Sequence, residues 1–238
     1  METVEKLAFY LLKKVNKAVR DYDLIKERDR ILVAVSGGKD SLSLLKLLKV
    51  RRPLVRESYH LVAVHVQADL NCGGYVPREE LEMLFQTERV EYSFEEVSLV
   101  GEGEQGAEQP NCFWCSWNRR KALFLAADRL RCNKVAFGHH AADVAQTTLL
   151  NLLHHGRLQT MEPKAPFFGG EITVIRPLVY VPEKELARFA RACGFPAGHA
   201  PCPTSLTSKR ARMKDLLRGI EKECPQLKVN LLRAVQAY

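Results

Sequence analysis

At 238 residues, with 46% apolar and 27% charged side chains, the chain has the makeup of a globular protein large enough to bury a substantial core. No apolar run reaches the length of a membrane span and no signal peptide follows Met1, so a cytoplasmic protein that does not engage a membrane is expected. The net charge of +8 favours a polyanionic partner such as RNA, and seven cysteines in such a setting point to metal ligation, catalysis or packing rather than to a disulfide framework.

In chain order, Val4, Leu7, Ala8, Leu11, Val15 and Val19 recur at helical spacing, with Lys6, Lys13, Lys14, Lys17 and Arg20 on other faces. This amphipathic helix is expected to pack on the domain that follows rather than lie on a membrane. Glu2 and Glu5 argue against a transit peptide. Residues 31–35 read as a buried strand, after which Leu42, Leu45 and Leu48 repeat at helical spacing. Between them stands Ser36-Gly37-Gly38-Lys39-Asp40-Ser41. Adjacent glycines let the backbone turn sharply and present successive N–H groups, and the helix N-terminus adds partial positive charge, which suits a phosphate-rich anion. The plainer alternative is an ordinary strand-to-helix turn. Neither the Walker spacing G-x-x-x-x-G-K-[ST] nor the dinucleotide spacing G-x-G-x-x-G is present.

A basic connection containing Lys46, Lys49, Arg51, Arg52 and Arg56 leads to a second strand at 61–66, which implies a right-handed parallel crossover. Pro77 begins a helix running to about Glu88, and a third strand follows at 90–97. Residues 101–110, rich in Gly, Glu and Gln, lack periodicity and read as a mobile loop. Next comes Cys112-Phe113-Trp114-Cys115-Ser116-Trp117-Asn118-Arg119-Arg120-Lys121, continued as a helix by Leu123, Ala126, Ala127 and Leu130. A C-x-x-C at a helix start puts both sulfurs on one side, where the helix N-terminus and the cationic triplet favour thiolates. It reads as a redox pair, a zinc half-site or part of an iron-sulfur site, but a thioredoxin-type redox motif would directly follow the first strand, and a zinc site needs a fourth ligand where no second C-x-x-C exists. Trp114 and Trp117 are candidates to stack on a splayed base, with at least one of them expected in the core.

A fourth strand at 134–137 ends in Gly138-His139-His140-Ala141-Ala142-Asp143, and the helix after it is expected to turn Ala145, Leu149, Leu152 and Leu153 to the core. His139 and Asp143 fall on another face, which points back at the strand ends where open α/β sheets bind ligands; the alternative is that the histidines merely cap the helix. A fifth strand at 172–176 leads to a helix from Pro182 with Leu186, Phe189, Ala190 and Cys193 along its apolar stripe. Cys132 and Cys193 are read as packing. Cys202 stands between two prolines, which fix its backbone direction, and two basic or apolar helices follow, the first carrying Lys209, Arg210, Arg212, Lys214 and Arg218. The expected architecture is a five-stranded parallel sheet, order 3-2-1-4-5, with helices on both faces. It is divided into an N-terminal helix (1–29), an α/β domain (30–181) and a helical C-terminal extension (182–238).

Ser36 to Ser41, Cys112-x-x-Cys115 followed by Arg119 and Arg120, Gly138-His139-His140 with Asp143, the run Val174-Ile175-Arg176-Pro177-Leu178, and Pro201-Cys202 together resemble the TtcA and Ncs-type tRNA thiolation branch of the PP-loop ATPase family over nearly the whole chain. The resemblance implies the cofactors ATP, Mg²⁺ and a 4Fe-4S cluster. The cluster would be held by Cys112, Cys115 and Cys202 with one iron left for sulfide, a donor set that suits soft metal centres. It implies ATP-dependent sulfur transfer in which a pyrimidine C2 oxygen of tRNA is adenylated, pyrophosphate leaves, and sulfur displaces AMP. Nucleotide binding would fall to Ser36, Gly37, Gly38, Lys39, Asp40, Ser41, Gly138 and His139, and catalysis to Asp40, Asp143 and Arg119. Asp40 would engage Mg²⁺. Partners implied are tRNA, read in its anticodon loop, a sulfur donor such as a cysteine desulfurase or free sulfide, and a second copy of the chain.

Three departures from the family pattern stand out. Ala141-Ala142-Asp143 keeps only the second of two usual acidic residues, Asp69 stands near the place of the usual adenine-contacting aspartate, and no second cysteine follows Cys202 three residues on. They leave open a PP-loop sulfur-transfer enzyme acting on a small molecule, or a non-catalytic cluster- or RNA-binding derivative. The lysidine synthetase branch has no use for three positioned cysteines.

Overall fold

A computed structural model describes residues 3–68, 76–98, 112–196 and 208–236. The expected loop at 101–110, Asp69, Cys72 and Cys202 with its flanking prolines lie outside the described residues. In chain order the elements are α1 (Val4–Tyr22), β1 (Arg30–Ala34), α2 (Lys39–Arg51), β2 (His60–Ala68), α3 (Arg78–Thr87), β3 (Glu91–Val97), α4 (Cys112–Arg129), β4 (Lys134–Ala136), α5 (Ala141–His155), β5 (Lys164–Phe167), β6 (Ile172–Ile175), α6 (Glu183–Ala192), α7 (Lys209–Glu221) and α8 (Leu227–Gln236).

The strands form one sheet in the order β3-β2-β1-β4-β6-β5. All pairs are parallel except β5 with β6, which is antiparallel. The expected five-stranded order is thus present as β3-β2-β1-β4-β6, and one further strand is added at the edge. Lys164-Ala165-Pro166-Phe167 carries no apolar alternation, and a proline suits only an edge position, so pairing with β6 rather than local preference makes it a strand.

The central strand β1 is buried on both faces, as parallel strands covered by crossover helices must be. Its alternation sends Ile31 and Val33 into the larger core cluster, with Leu11 and Val15 of α1, Leu44 and Leu48 of α2, Phe85 of α3 and Phe189 of α6. Leu32 and Ala34 enter a second cluster on the other face, where Leu123, Ala126 and Ala127 of α4 cover the sheet. Cys132 is buried in this second cluster and Cys193 packs at the margin of the first, as a packing role requires.

Two packing expectations fail. Burial along α5 stops at Thr148, so Leu152 and Leu153 lie 44% and 56% exposed although they continue the same spacing. Trp114 and Trp117 are both more than half exposed, because the face of α4 that meets the sheet begins only at Leu123. No helix among the described residues is long and apolar enough to cross a membrane.

Candidate active site

The strand order reverses between β1 and β4, which pair directly through Ile31 with Lys134 and Val33 with Ala136. Both of their outgoing loops therefore emerge side by side at the carboxyl edge of the sheet, the place where open α/β folds bind ligands. Beyond β1, Gly37 takes φ +85°, and a Cβ there would come 2.9 Å from the Val76 side chain, so only glycine makes this bend. Gly38 caps α2 without any side-chain hydrogen bond, which leaves the amides of the first helical turn open to an anion. The turn is braced from behind: the Ser41 hydroxyl donates to the Gly38 carbonyl at 2.9 Å and accepts from the Ser36 amide at 3.1 Å.

Gly138, just beyond β4, presses on that same turn. A Cβ on it would lie 2.9 Å from the Ser41 nitrogen and 3.0 Å from the Asp40 carbonyl. The next residues divide the work that the sequence assigned to them jointly. His140 caps α5: its Nδ1 accepts from the Ala142 amide at 3.2 Å while the Asp143 carboxylate accepts from the His140 amide at 2.9 Å. The other ring nitrogen of His140 lies 3.8 Å from Asp40, so the cap ties the two loops together. His139 turns the other way, its ring tilted against Phe137 and its Nδ1 buried with no hydrogen-bond partner among the described residues. Burial and then the nearby positive charge of Arg176 push the His139 pKa down to about 4, so the imidazole is neutral at pH 7.

Between these loops opens a cleft of about 400 Å³ lined by Ser36, Asp40, Ser41, Gly138, His139 and Asp143. Its third wall is α4, which contributes Ser116, Arg119, Arg120 and Leu123. The Nε of Arg119 is buried there without a partner among the described residues. Most of the sequence-predicted nucleotide and catalytic residues therefore converge.

Lys39 does not line the cleft. Its Nζ lies 2.9 Å from Asp40 and 3.5 Å from Glu183. Burial alone would lower its pKa, but the hydrogen bond to Asp40 and the two carboxylate charges outweigh that and raise it. Glu183 is itself shared, its Oε1 lying 3.0 Å from Lys214 of α7. Burial would raise its pKa, yet the hydrogen bond and charge of Lys214 and the charge of Lys39 hold it down at about 2.

Three residues around the cleft escaped the sequence reading as site residues. Glu183 stands at a helix start, where a carboxylate is routine. His65 sits in β2 with its Nδ1 2.7 Å from the Val35 carbonyl; a carbonyl only accepts, so Nδ1 carries the proton and the ring steadies the start of the glycine turn. Arg176 follows β6 with its Nε buried and, among the described residues, unpartnered, and burial, then the charge of Arg120, lowers its pKa to about 10. The only hint of Arg176 in the sequence was its place in the Ile-Arg-Pro-Leu run.

Of the three expected metal-ligating cysteines, Cys112 opens α4 and Cys115 stands half-buried and free in the helix's first turn. Cys202 is not among the described residues. Ser208, six positions later, caps α7, whose Arg210 reaches Thr147 of α5 at 3.4 Å.

Residues 8–197 match the family described as a PP-loop domain. A tRNA-cytidine(32) 2-sulfurtransferase of Citrifermentans bemidjiense is 38% identical over 244 residues, covering 99% of this chain and 93% of the relative. One from Geobacter sulfurreducens is 39% identical over 241 residues, covering 99% and 92%. The solved structure of the U34-tRNA thiolase NcsA from Methanococcus maripaludis with its 4Fe-4S cluster superposes with a TM-score of 0.76 at 23% identity, covering 98% of this chain and 79% of that one. At that identity the likeness speaks for the fold.

Proposed function

Because the chain belongs to the PP-loop family, and within it to the tRNA-cytidine(32) 2-sulfurtransferases, we propose that it converts a cytidine in the anticodon loop of tRNA to its 2-thio form at the expense of ATP. The observation that carries this reading is the convergence of the uncapped α2 N-terminus, Gly138, Asp143 and Arg119 on one cleft.

The site's own features fit a nucleoside triphosphate. The open amides of α2 and the bend at Gly37 form a cradle for departing pyrophosphate, and the Nε of Arg119, without a partner among the described residues, is a donor suited to anionic oxygens. Asp40 and Asp143 both line the cleft, flanking the His140 ring at 3.8 Å and 3.3 Å, and supply carboxylates of the kind that would hold Mg²⁺ shared with phosphate oxygens. In the first step the cytidine C2 oxygen attacks the α-phosphorus and pyrophosphate leaves. Arg119 faces the negative charge that builds on the phosphoryl oxygens, and neutral His139 can accept or donate without adding charge. In the second step sulfur attacks C2 and AMP departs, so the C–O bond of the activated base is exchanged for C–S.

Cys115, a free half-buried thiol in the first turn of α4, fits one corner of an iron-sulfur cluster whose other ligands would be Cys112 and Cys202. Such a cluster, when bound, would supply an iron position for the incoming sulfide. The basic residues of α4 and α7 would hold the RNA backbone, a cysteine desulfurase or free sulfide would supply sulfur, and the protein would work in the cytoplasm as a homodimer.

The test is anaerobic purification followed by iron and sulfide analysis of wild type, Cys115→Ala and Cys202→Ala, together with AMP formation from ATP in the presence and absence of tRNA. Brown wild-type protein, colourless variants and tRNA-dependent AMP release are expected. A colourless zinc protein, or AMP release indifferent to tRNA, refutes the proposal.

A further inference from the structure

Between α4 and the edge of the sheet formed by β5 and β6 lies a second recess, about 630 Å³ and so larger than the cleft. One wall is a stripe of α4 running from Trp117 to Asp128, and the other is the turn that joins β5 to β6, with Phe167, Phe168 and Glu171. Arg120 lines both recesses, so the groove opens directly beside the cleft.

Its chemistry is graded along its length. At the end shared with the cleft stand Arg120 and Lys121, both exposed and neither in an ion pair among the described residues. The middle is aromatic: the Phe124 ring lies 5.1 Å from that of Phe167 and 5.3 Å, edge-on, from that of Phe168. The far end carries two carboxylates, Asp128 and Glu171. Phe168 remains 59% exposed. It also takes φ +53°, a left-handed conformation that a bulky side chain adopts only at a cost. Glycine would be the unstrained choice there, so the turn holds an aromatic ring out to water against both hydration and backbone preference.

We propose that this groove seats one unpaired nucleotide of the RNA substrate, a neighbour of the one whose base enters the cleft. Its phosphate lies against Arg120 and Lys121, its base stacks on Phe168 and Phe124, and N–H donors on the base edge meet Asp128 and Glu171. The order cation, aromatic face, acceptor is the order phosphate, base plane, base edge within a nucleotide, and unstacked loop bases are what proteins bind in this way. A purely apolar partner surface would leave both charged ends of the groove unanswered. The inference rests on the reading of the chain as a tRNA-modifying enzyme, which it extends from the reacting nucleotide to a second one.

The test measures binding of a fluorescent RNA hairpin with a single-stranded loop, and of its fully paired counterpart, to anaerobically purified full-length protein at fixed salt. Phe168→Ala is expected to weaken hairpin binding about fivefold or more, the loss of one stacked base, with paired RNA and ATP affinity unaffected. Phe168→Tyr, which keeps the ring, should bind within about twofold of wild type. Phe168→Gly should weaken hairpin binding as alanine does while melting no lower than wild type, because it relieves the backbone strain. Equal hairpin affinity in wild type and Phe168→Ala overturns the proposal. So does a change of Phe168→Ala from dimer to monomer in sedimentation with hairpin affinity retained, which would assign the groove to a second copy of the chain. A wild-type protein that binds paired and hairpin RNA alike fails earlier, and takes the RNA reading itself down with this inference.

Discussion

Gly138→Ala tests whether the two loops of the cleft are built against each other. The added methyl group would stand 2.9 Å from the Ser41 nitrogen and 3.0 Å from the carbonyl carbon and oxygen of Asp40. All three are backbone atoms of the first turn of α2, so no side-chain rotation relieves the contact and either β4's end or the turn must shift. Overpacking of this kind costs about 1–3 kcal/mol, which in a chain of this length lowers the melting temperature by roughly 2–12 °C. Function should suffer more. The amides that move are those proposed to hold phosphate, and misplacing even one charge-assisted hydrogen bond, worth about 1.5–3 kcal/mol, weakens ATP binding roughly tenfold to a hundredfold. Thermal melts together with calorimetric ATP titration of both proteins measure the two effects. A variant that melts within a degree of wild type and binds ATP equally well would refute the claim that the β4 loop and the glycine turn share one packed junction.

Gly219→Ala is the contrasting substitution: a Cβ there, inside α7, meets nothing within 4 Å among the described residues, so urea denaturation should show stabilisation of about 0.5–1 kcal/mol. Phe85→Ala removes a fully buried ring packed 5.5 Å from Tyr92 and 6.0 Å from Phe94, and the same assay should report a loss of about 3–5 kcal/mol. Glu183→Gln addresses pH. The folded carboxyl sits near 2 against an ordinary 4.5, so the stabilisation it gives is complete above about pH 4.5 and disappears as pH falls towards 2. Wild type should therefore exceed the variant by about 1 kcal/mol at pH 6, with the gap closing on acidification; a gap that is constant with pH would contradict the shared ion pair.

What the sequence disclosed was local. Strand β1, the glycine turn and the start of α2 are specified within a dozen consecutive residues, and the same holds for the β4 loop with its capping histidine. That both loops end at one edge followed from the alternation of strands and helices, because β1 and β4 can be neighbours in a parallel sheet only with their ends aligned. Strand β5 was illegible because Pro166 suppresses the local signal and the pairing is supplied by β6. The role of Glu183 was illegible for a different reason: the ammonium groups it joins belong to Lys39, 144 residues away, and to a helix whose approach no periodicity encodes. The exposure of Trp117 follows from the reach of α4 beyond the sheet, a matter of tertiary geometry that apolar composition misrepresents.

The borders of the sheet bear on how two such molecules can meet. On one side β5 offers an incoming strand no amide at Pro166. On the other, β3 carries Glu91, Glu95 and Glu96, held in ion pairs with Arg30 and His60, with Arg129 and with Arg78, charged groups that an added strand would have to displace or bury. Among the described residues, then, neither margin is an open template for extending the sheet from one molecule to the next, which guards against fibrous aggregation and favours helices and loops as the surfaces through which a symmetric pair would join.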